Sequence, residues 1–146
     1  MSGDRVTESP RLHGVLETAL YHDRDQGREA ERFYAERLGL PVVARWPGGV
    51  ALRIGAGVLL LFDREALAER GGPIADHGAS GPGHACLQAG PGAYDAWRQH
   101  LRQSGVEITH EQEWDGGQRS LYFHDPAGNL IEIADRDLWP EAPGGG

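Results

Sequence analysis

A single cysteine, Cys86, stands among 146 residues, so no internal disulfide can form, and the free thiol suits a reducing compartment. Its simplest role is that of a small residue in a strand. No apolar run approaches the roughly 18 to 20 residues that a membrane-spanning helix needs, and the opening MSGDRVTESPR is too polar for a signal peptide. A cytoplasmic location and no membrane partner are the expectation. Basic residues are scarce too: 14 against 22 acidic, a formal net charge of -8, which argues against nucleic acid or anionic lipid as partner. That balance suits solubility or a cationic ligand. What remains is the length of one ordinary domain, enough to bury roughly 70% of the surface its unfolded chain exposes. A metal site in such a chain is a functional feature and not a staple for a small fold.

The pattern of elements runs twice. Glu17 to His22 reads as a strand and Gly27 to Leu38 as a helix, with Ala30, Phe33 and Arg37/Leu38 spaced along one side and Gly39 where a helix stops. Val50 to Ile54 and Val58 to Phe62 follow as strands around the turn Gly55-Ala56-Gly57. From Arg64 to Gly83 the chain reads as a connector, ending in GGPIADHGASGPG. His84 to Gln88 then reopens the pattern as a strand, and Gly92 to Gln103 is a helix with Tyr94, Trp97 and Leu101 on one side, closed by Gly105. Strands are expected at Val106 to Thr109, Ser120 to His124 and Leu130 to Ala134. Trp46-Pro47-Gly48-Gly49 and Trp114-Asp115-Gly116-Gly117 recur at similar distances past the helix-ending glycines. The reading is an α+β fold of two βαβββ modules, about 12–65 and 80–138, within a domain spanning 12–138. Each curved sheet has one face under its helix and one open, and pairing the open faces makes a cleft-like, partly open barrel. Flexible tails are expected at 1–10 and 141–146.

Period-two alternation selects the side chains that enter the cleft. In the last strand Leu130, Glu132 and Ala134 share a face, while Ile131 and Ile133 pack on the helix. A carboxylate on a packed face is costly unless it is paired or bound to a cation. By the same parity His84, Cys86 and Gln88 face inward, as do Glu17, Ala19 and Tyr21. The repeat-equivalent inward positions therefore carry Glu17, Leu60, His84 and Glu132. Two carboxylates and a neutral imidazole balance a divalent cation and leave coordination positions open for a substrate oxygen or a water.

The segment SLYFHDPAGNLIEI resembles the terminal Y-F-x-D-P-x-G-N/H-x-x-E stretch of the vicinal oxygen chelate superfamily, the group of glyoxalase I, extradiol dioxygenases, fosfomycin-modifying enzymes and bleomycin-binding resistance proteins. GPGHACLQA is similar to that family's G-H-x-A-F strand, ETALYHDRDQGREAERFYAERLGLPV to its opening strand and helix, and ARWPGGVALRIGAGVLLLFDRE to the middle of the first module in fosfomycin-type members. The resemblance covers roughly 12–135. It implies a divalent metal (Zn, Mn, Ni, Co or Fe) held by Glu17, His84 and Glu132, with the final Glu and the strand His as ligands. Two departures stand out. Many metal-dependent members have His where Glu17 stands, and His13 and His22 are rivals nearby; His22 has the wrong parity and His13 precedes the strand. Ala19 stands where fosfomycin-modifying enzymes carry a hydroxyl. Arg119, Ser120 and Tyr122 match residues that hold an anionic oxygen near the metal, and Trp46 is a candidate for the cleft wall, with packing beneath its glycine turn as the alternative. His77 lies in the connector, where a loop can close over a ligand.

The implied function is that of a metal-dependent enzyme whose small substrate chelates the metal through adjacent oxygens, with isomerase, lyase, thiol-transferase and dioxygenase chemistry all open. The alternative is a metal-free protein that sequesters a drug or metabolite, as in antibiotic resistance. Sequestering members generally lack the ligand set that His84 and Glu132 retain here. A homodimer is implied in either case, and the site lies within one chain or takes Glu17 from one chain and His84 with Glu132 from the other.

Overall fold

The computed structural model describes residues 10–75 and 77–143. The tails expected at 1–10 and 141–146 fall mostly outside those residues. The elements are β1 (Glu17–His22), α1 (Gly27–Arg32), β2 (Val42–Trp46), β3 (Gly49–Ile54), β4 (Gly57–Asp63), α2 (Arg64–Glu69), β5 (His84–Gln88), α3 (Tyr94–Gln103), β6 (His110–Glu113), β7 (Arg119–His124) and β8 (Leu130–Ala134). A 3₁₀ turn, Arg24–Gln26, leads into α1 and a π turn, Phe33–Arg37, extends it. Two four-stranded sheets result, β1-β4-β3-β2 and β5-β8-β7-β6, and in each the first pair of that order, β1 with β4 and β5 with β8, is parallel and the rest antiparallel. The two orders are the same order, and neither sheet closes on itself. The fold is thus the α+β, partly open barrel architecture with few helices that the repeated pattern implies.

Local chemistry accounts for the element ends. Gly39 (φ 73°) and Gly105 (φ 79°) take the left-handed conformation that stops each module's helix. After α3 the Val106 N–H closes back on the Leu101 carbonyl at 2.9 Å. Pairing with β7 begins only with the Thr109 N–H to Tyr122 O bond at 2.8 Å, so the strand expected at Val106 to Thr109 begins instead at His110. Val106 and Ile108 pack against the core as a connection, which mimics a strand's apolar alternation. Two elements went unread. β2 is exposed along most of its length, so it carries no buried alternation. α2 hides in the connector and is capped by Asp63, whose Oδ1 accepts from Glu65 N (2.9 Å) and Ala66 N (3.0 Å).

One core joins the modules. Phe33 and Tyr34 of the first helical segment meet Phe123 of β7 and the turn beyond it, with the Phe33 and Phe123 rings 6.0 Å apart. Leu121, Phe123 and Ile131 are fully buried there, worth roughly 1.5–3 kcal/mol each by area. The DPAGN turn is a polar clamp within this packing. Tyr34 Oη donates to Asp125 Oδ2 at 2.6 Å, Asn129 Nδ2 donates to Asp125 Oδ2 (2.9 Å) and to Tyr21 O (3.2 Å), and Asn129 Oδ1 accepts from Gly83 N at 2.7 Å. Asn129 therefore ties the end of β1 to the start of β5. No helix among the described residues is long and apolar enough to cross a membrane.

Candidate metal and substrate site

Strand register sorts each open face into transverse rows. Across the second sheet one row reads Cys86, Glu132, Tyr122, His110; the equivalent row of the first sheet reads Ala19, Leu60, Ala51, Ala44. The repeat has diverged in chemistry while keeping its register: this row of the second face carries the donors, and the equivalent row of the first is apolar. Leu60 does stand where Glu132 stands, and Val58 faces Glu17 as Leu130 faces His84.

His84 and Glu132 come together. Nε2 of His84 lies 3.3 Å from Glu132 Oε1, while Nδ1 makes a 2.8 Å hydrogen bond to the Leu130 carbonyl. A carbonyl only accepts, so Nδ1 carries a proton and Nε2 is the nitrogen turned toward Glu132, free to ligate a metal. Glu132 is 6% exposed, and its Oε2 is buried without a hydrogen-bond partner. Two donors at about 2.0–2.2 Å from a shared cation, at tetrahedral or octahedral angles, stand about 2.9–3.5 Å apart. The observed spacing, the fixed tautomer and the unsatisfied carboxylate oxygen all fit a divalent metal. Burial, and then the adjacent Glu132 carboxylate, push the Tyr122 phenol up to about 12 and the Cys86 thiol up to about 11. Both neighbours of Glu132 are consequently neutral donors near neutral pH.

The other candidates lie as follows. Glu17 is exposed at the start of β1 on the open face of the first sheet. Among the described residues no group of three or more His, Cys, Asp or Glu side chains converges, so Glu17 does not join His84 and Glu132 within one chain. His22 is buried beneath the helical segment, with Nδ1 bonded to Asp23 O at 2.8 Å, and His13 is exposed before β1. Ser120 is fully buried and accepts from Trp114 Nε1 at 3.0 Å. Tyr122 stands beside Glu132. Arg119 does not join them: its parity is that of Leu121 and Phe123, its guanidinium lies 4.3 Å over the Tyr94 ring, and it pairs with Asp95 at 3.2 Å. Trp46 is partly exposed at the edge of the first open face, its ring against Gly49. Cys86 and His110 share the row of Glu132 and Tyr122; alternation marked Cys86 as inward, but only pairing shows what it faces.

A family model described as Glyoxalase/Bleomycin resistance protein/Dioxygenase superfamily matches residues 24–133, which includes His84 and Glu132 and begins after Glu17. A lactoylglutathione lyase structure from Agrobacterium tumefaciens is similar at 35% identity and a TM-score of 0.82, over 90% of this chain and 100% of that one. A virulence protein from Salmonella typhimurium is similar at 25% identity and a TM-score of 0.68, over 88% of this chain and 100% of that one. A glyoxalase/bleomycin resistance protein/dioxygenase from Nocardioides shares the fold at 21% identity and a TM-score of 0.68, over 98% of this chain and 95% of that one. No curated protein matches the chain.

Proposed function

Because the chain belongs to the Glyoxalase/Bleomycin resistance protein/Dioxygenase superfamily, we propose that it is an enzyme holding a divalent metal through His84 and Glu132 and acting on a small substrate that chelates this metal through vicinal oxygens. The supporting observation is the donor pair itself: Nε2 to Oε1 at 3.3 Å, with Glu132 Oε2 buried and unpartnered. A buried carboxylate oxygen left without a donor costs free energy unless a cation or ligand completes it. We take the third donor to be Glu17 of the partner subunit in a homodimer: within one chain Glu17 lies on the other sheet, and among the described residues no third His, Cys, Asp or Glu joins the His84–Glu132 pair.

When bound, the metal supplies Lewis-acid stabilisation of a developing enolate or alkoxide, or polarises a carbon for attack by a thiol or water. The protein's part is orientation and proton placement. His84 is held to one tautomer by Leu130 O, so its ligating nitrogen does not compete for a proton held at Nδ1. Tyr122 keeps its proton well above neutral pH and donates to a substrate oxygen beside Glu132. Likeness to a lactoylglutathione lyase favours lyase or isomerase chemistry over thiol transfer. The apolar and aromatic rows of the first face, Ala19-Leu60-Ala51-Ala44 and Tyr21-Phe62-Gly49-Trp46, favour a second reading, a sequestering protein with no resident metal. Metal content of purified protein separates them: wild type is expected to hold close to one metal per chain, and His84→Ala and Glu132→Ala to lose it. Equal content in all three would remove the enzyme reading.

A further inference from the structure

We propose that the aromatic row of the first sheet is a subsite for a planar ring with a hydrogen-bonding edge, and that His77 of the connector sits in it when no ligand does. Tyr21, Phe62, Gly49 and Trp46 line up in register across β1, β4, β3 and β2. Glycine is required in that line, since a Cβ on Gly49 would lie 2.3 Å from Trp46 Cε2. Its absence lets the indole lie across β3 and approach Phe62 edge-on, with centroids 5.9 Å apart at 63°. Tyr21 stacks on the other side of Phe62 at 5.9 Å and 23°. The register-equivalent residues of the second sheet, Gln88, Ala134, Ser120 and Gln112, form no such cluster.

His77 shows what the row accepts. Its ring meets Phe62 edge-on at 4.8 Å and 81°, and its Nδ1 shares a 2.6 Å hydrogen bond with the Tyr21 hydroxyl. A flat heteroaromatic ring is thus already received by Phe62, with one edge atom tied to Tyr21. Edge-to-face geometry of this kind is the favoured arrangement of aromatic pairs. The imidazole is exposed and comes from a connector with three glycines in the left-handed region, Gly71, Gly72 and Gly81. Leaving the row costs it one hydrogen bond, to the Tyr21 hydroxyl, and two edge-on ring contacts, with Phe62 and with Tyr21. The row that holds His77, Tyr21-Phe62-Gly49-Trp46, and the row beside it, Ala19-Leu60-Ala51-Ala44, contain no charged residue, which favours a neutral, flat group there; the charged residues of this face, Glu17 and Arg53, lie in the next row, two positions further along.

This inference rests on the reading above, in which the first face and the partner subunit's donor pair enclose one cleft; it then assigns the substrate class, adjacent chelating oxygens carried next to a planar ring. The test uses full-length protein stripped of metal and titrated with benzimidazole, with cyclohexanol as the non-planar control. Binding is read from the ¹H–¹⁵N signal of the Trp46 indole. Benzimidazole is expected to shift that signal saturably and cyclohexanol to leave it in place. Removing the self-occupant in His77→Ala should tighten benzimidazole by about fivefold or more. In that background Tyr21→Phe, which keeps the ring and deletes the hydroxyl, should weaken it again by about three- to tenfold. Unchanged or weaker affinity in His77→Ala, or an equal response to cyclohexanol, overturns the proposal. Loss of the metal reading leaves this measurement untouched, because no metal is present in it.

Discussion

Replacing Glu132 by leucine distinguishes a carboxylate retained for a ligand from one retained for stability. The side chain is buried, Oε2 has no donor, and His84 stands beside it with Nε2 3.3 Å from Oε1 and Nδ1 bonded to Leu130 O. In metal-free protein Glu132 is therefore a buried carboxyl group with one oxygen, Oε2, uncompensated, while Tyr122 and Cys86 hydrogen-bond to the group. Exchanging such groups for apolar residues of similar volume is often stabilising by about 1–4 kcal/mol. The chain holds its own precedent: Leu60 fills the same register position in the first sheet. Cys86 and Tyr122 are larger than Ala19 and Ala51, so the lower half of that range, about 1–2 kcal/mol, is the expected gain. For a chain of this size it corresponds to a rise of about 2–8 °C in melting temperature. Wild type should in turn gain about 2.7 kcal/mol from metal at a hundredfold excess over its Kd, and Glu132→Leu should gain none. Calorimetry in chelator and in added metal, at one fixed protein concentration, reads both effects. If Glu132 instead serves a structural ion pair with protonated His84, the variant melts lower than wild type in chelator. A lower melting temperature there, or an undiminished response to metal, would refute the reasoning.

Two further outcomes follow from groups around the site. Cys86 alkylation should rise up to an apparent pKa of about 11 and move toward the ordinary value near 9 in Glu132→Leu, since burial is the first cause of its shift and the Glu132 carboxylate the second. Both Cys86 and Tyr122 have folded pKa values raised above the unfolded ones, so their contribution to stability is complete below about pH 9 and pH 10 respectively. It is lost as pH rises through about 11 and 12, and urea titrations of Cys86→Ala and Tyr122→Phe between pH 8 and 12 should show a flatter decline. Asn129→Ala deletes three side-chain hydrogen bonds, two that tie β1 to the start of β5 and one to Asp125, and Tyr34→Phe deletes one to the buried Asp125 carboxylate. Losses of about 2–4 and about 1.5–3 kcal/mol are expected in urea unfolding, and a change under about 0.5 kcal/mol in both would show the clamp to be incidental.

Much of the architecture was legible because its signals are local. Alternation in Leu130–Ala134 and His84–Gln88 placed both strands and the inward faces correctly, since period two is a property of the extended backbone itself. Gly39 and Gly105 marked the helix ends through the one conformation that glycine adopts without strain. β2 was not legible, because an exposed strand next to a hairpin carries no burial pattern, and α2 was masked by the glycine- and proline-rich residues after it. Arg119 shows the other limit. A resemblance suggested an anion contact, but its parity with Leu121 sends the guanidinium to Tyr94 on the far side of the sheet.

From the chain alone came the repeat, the two faces of each sheet, and the oddity of an acid at position 132, all set by spacing between near neighbours. Only the folded molecule decided that β5 pairs with β8, which brings His84 to Glu132 and leaves Glu17 on another sheet. It also decided that a ring from the connector would rest on Phe62. Such meetings depend on pairing between segments far apart in sequence, and the energy that selects them resides in the shared core of Phe33, Tyr34 and Phe123, which no local pattern specifies.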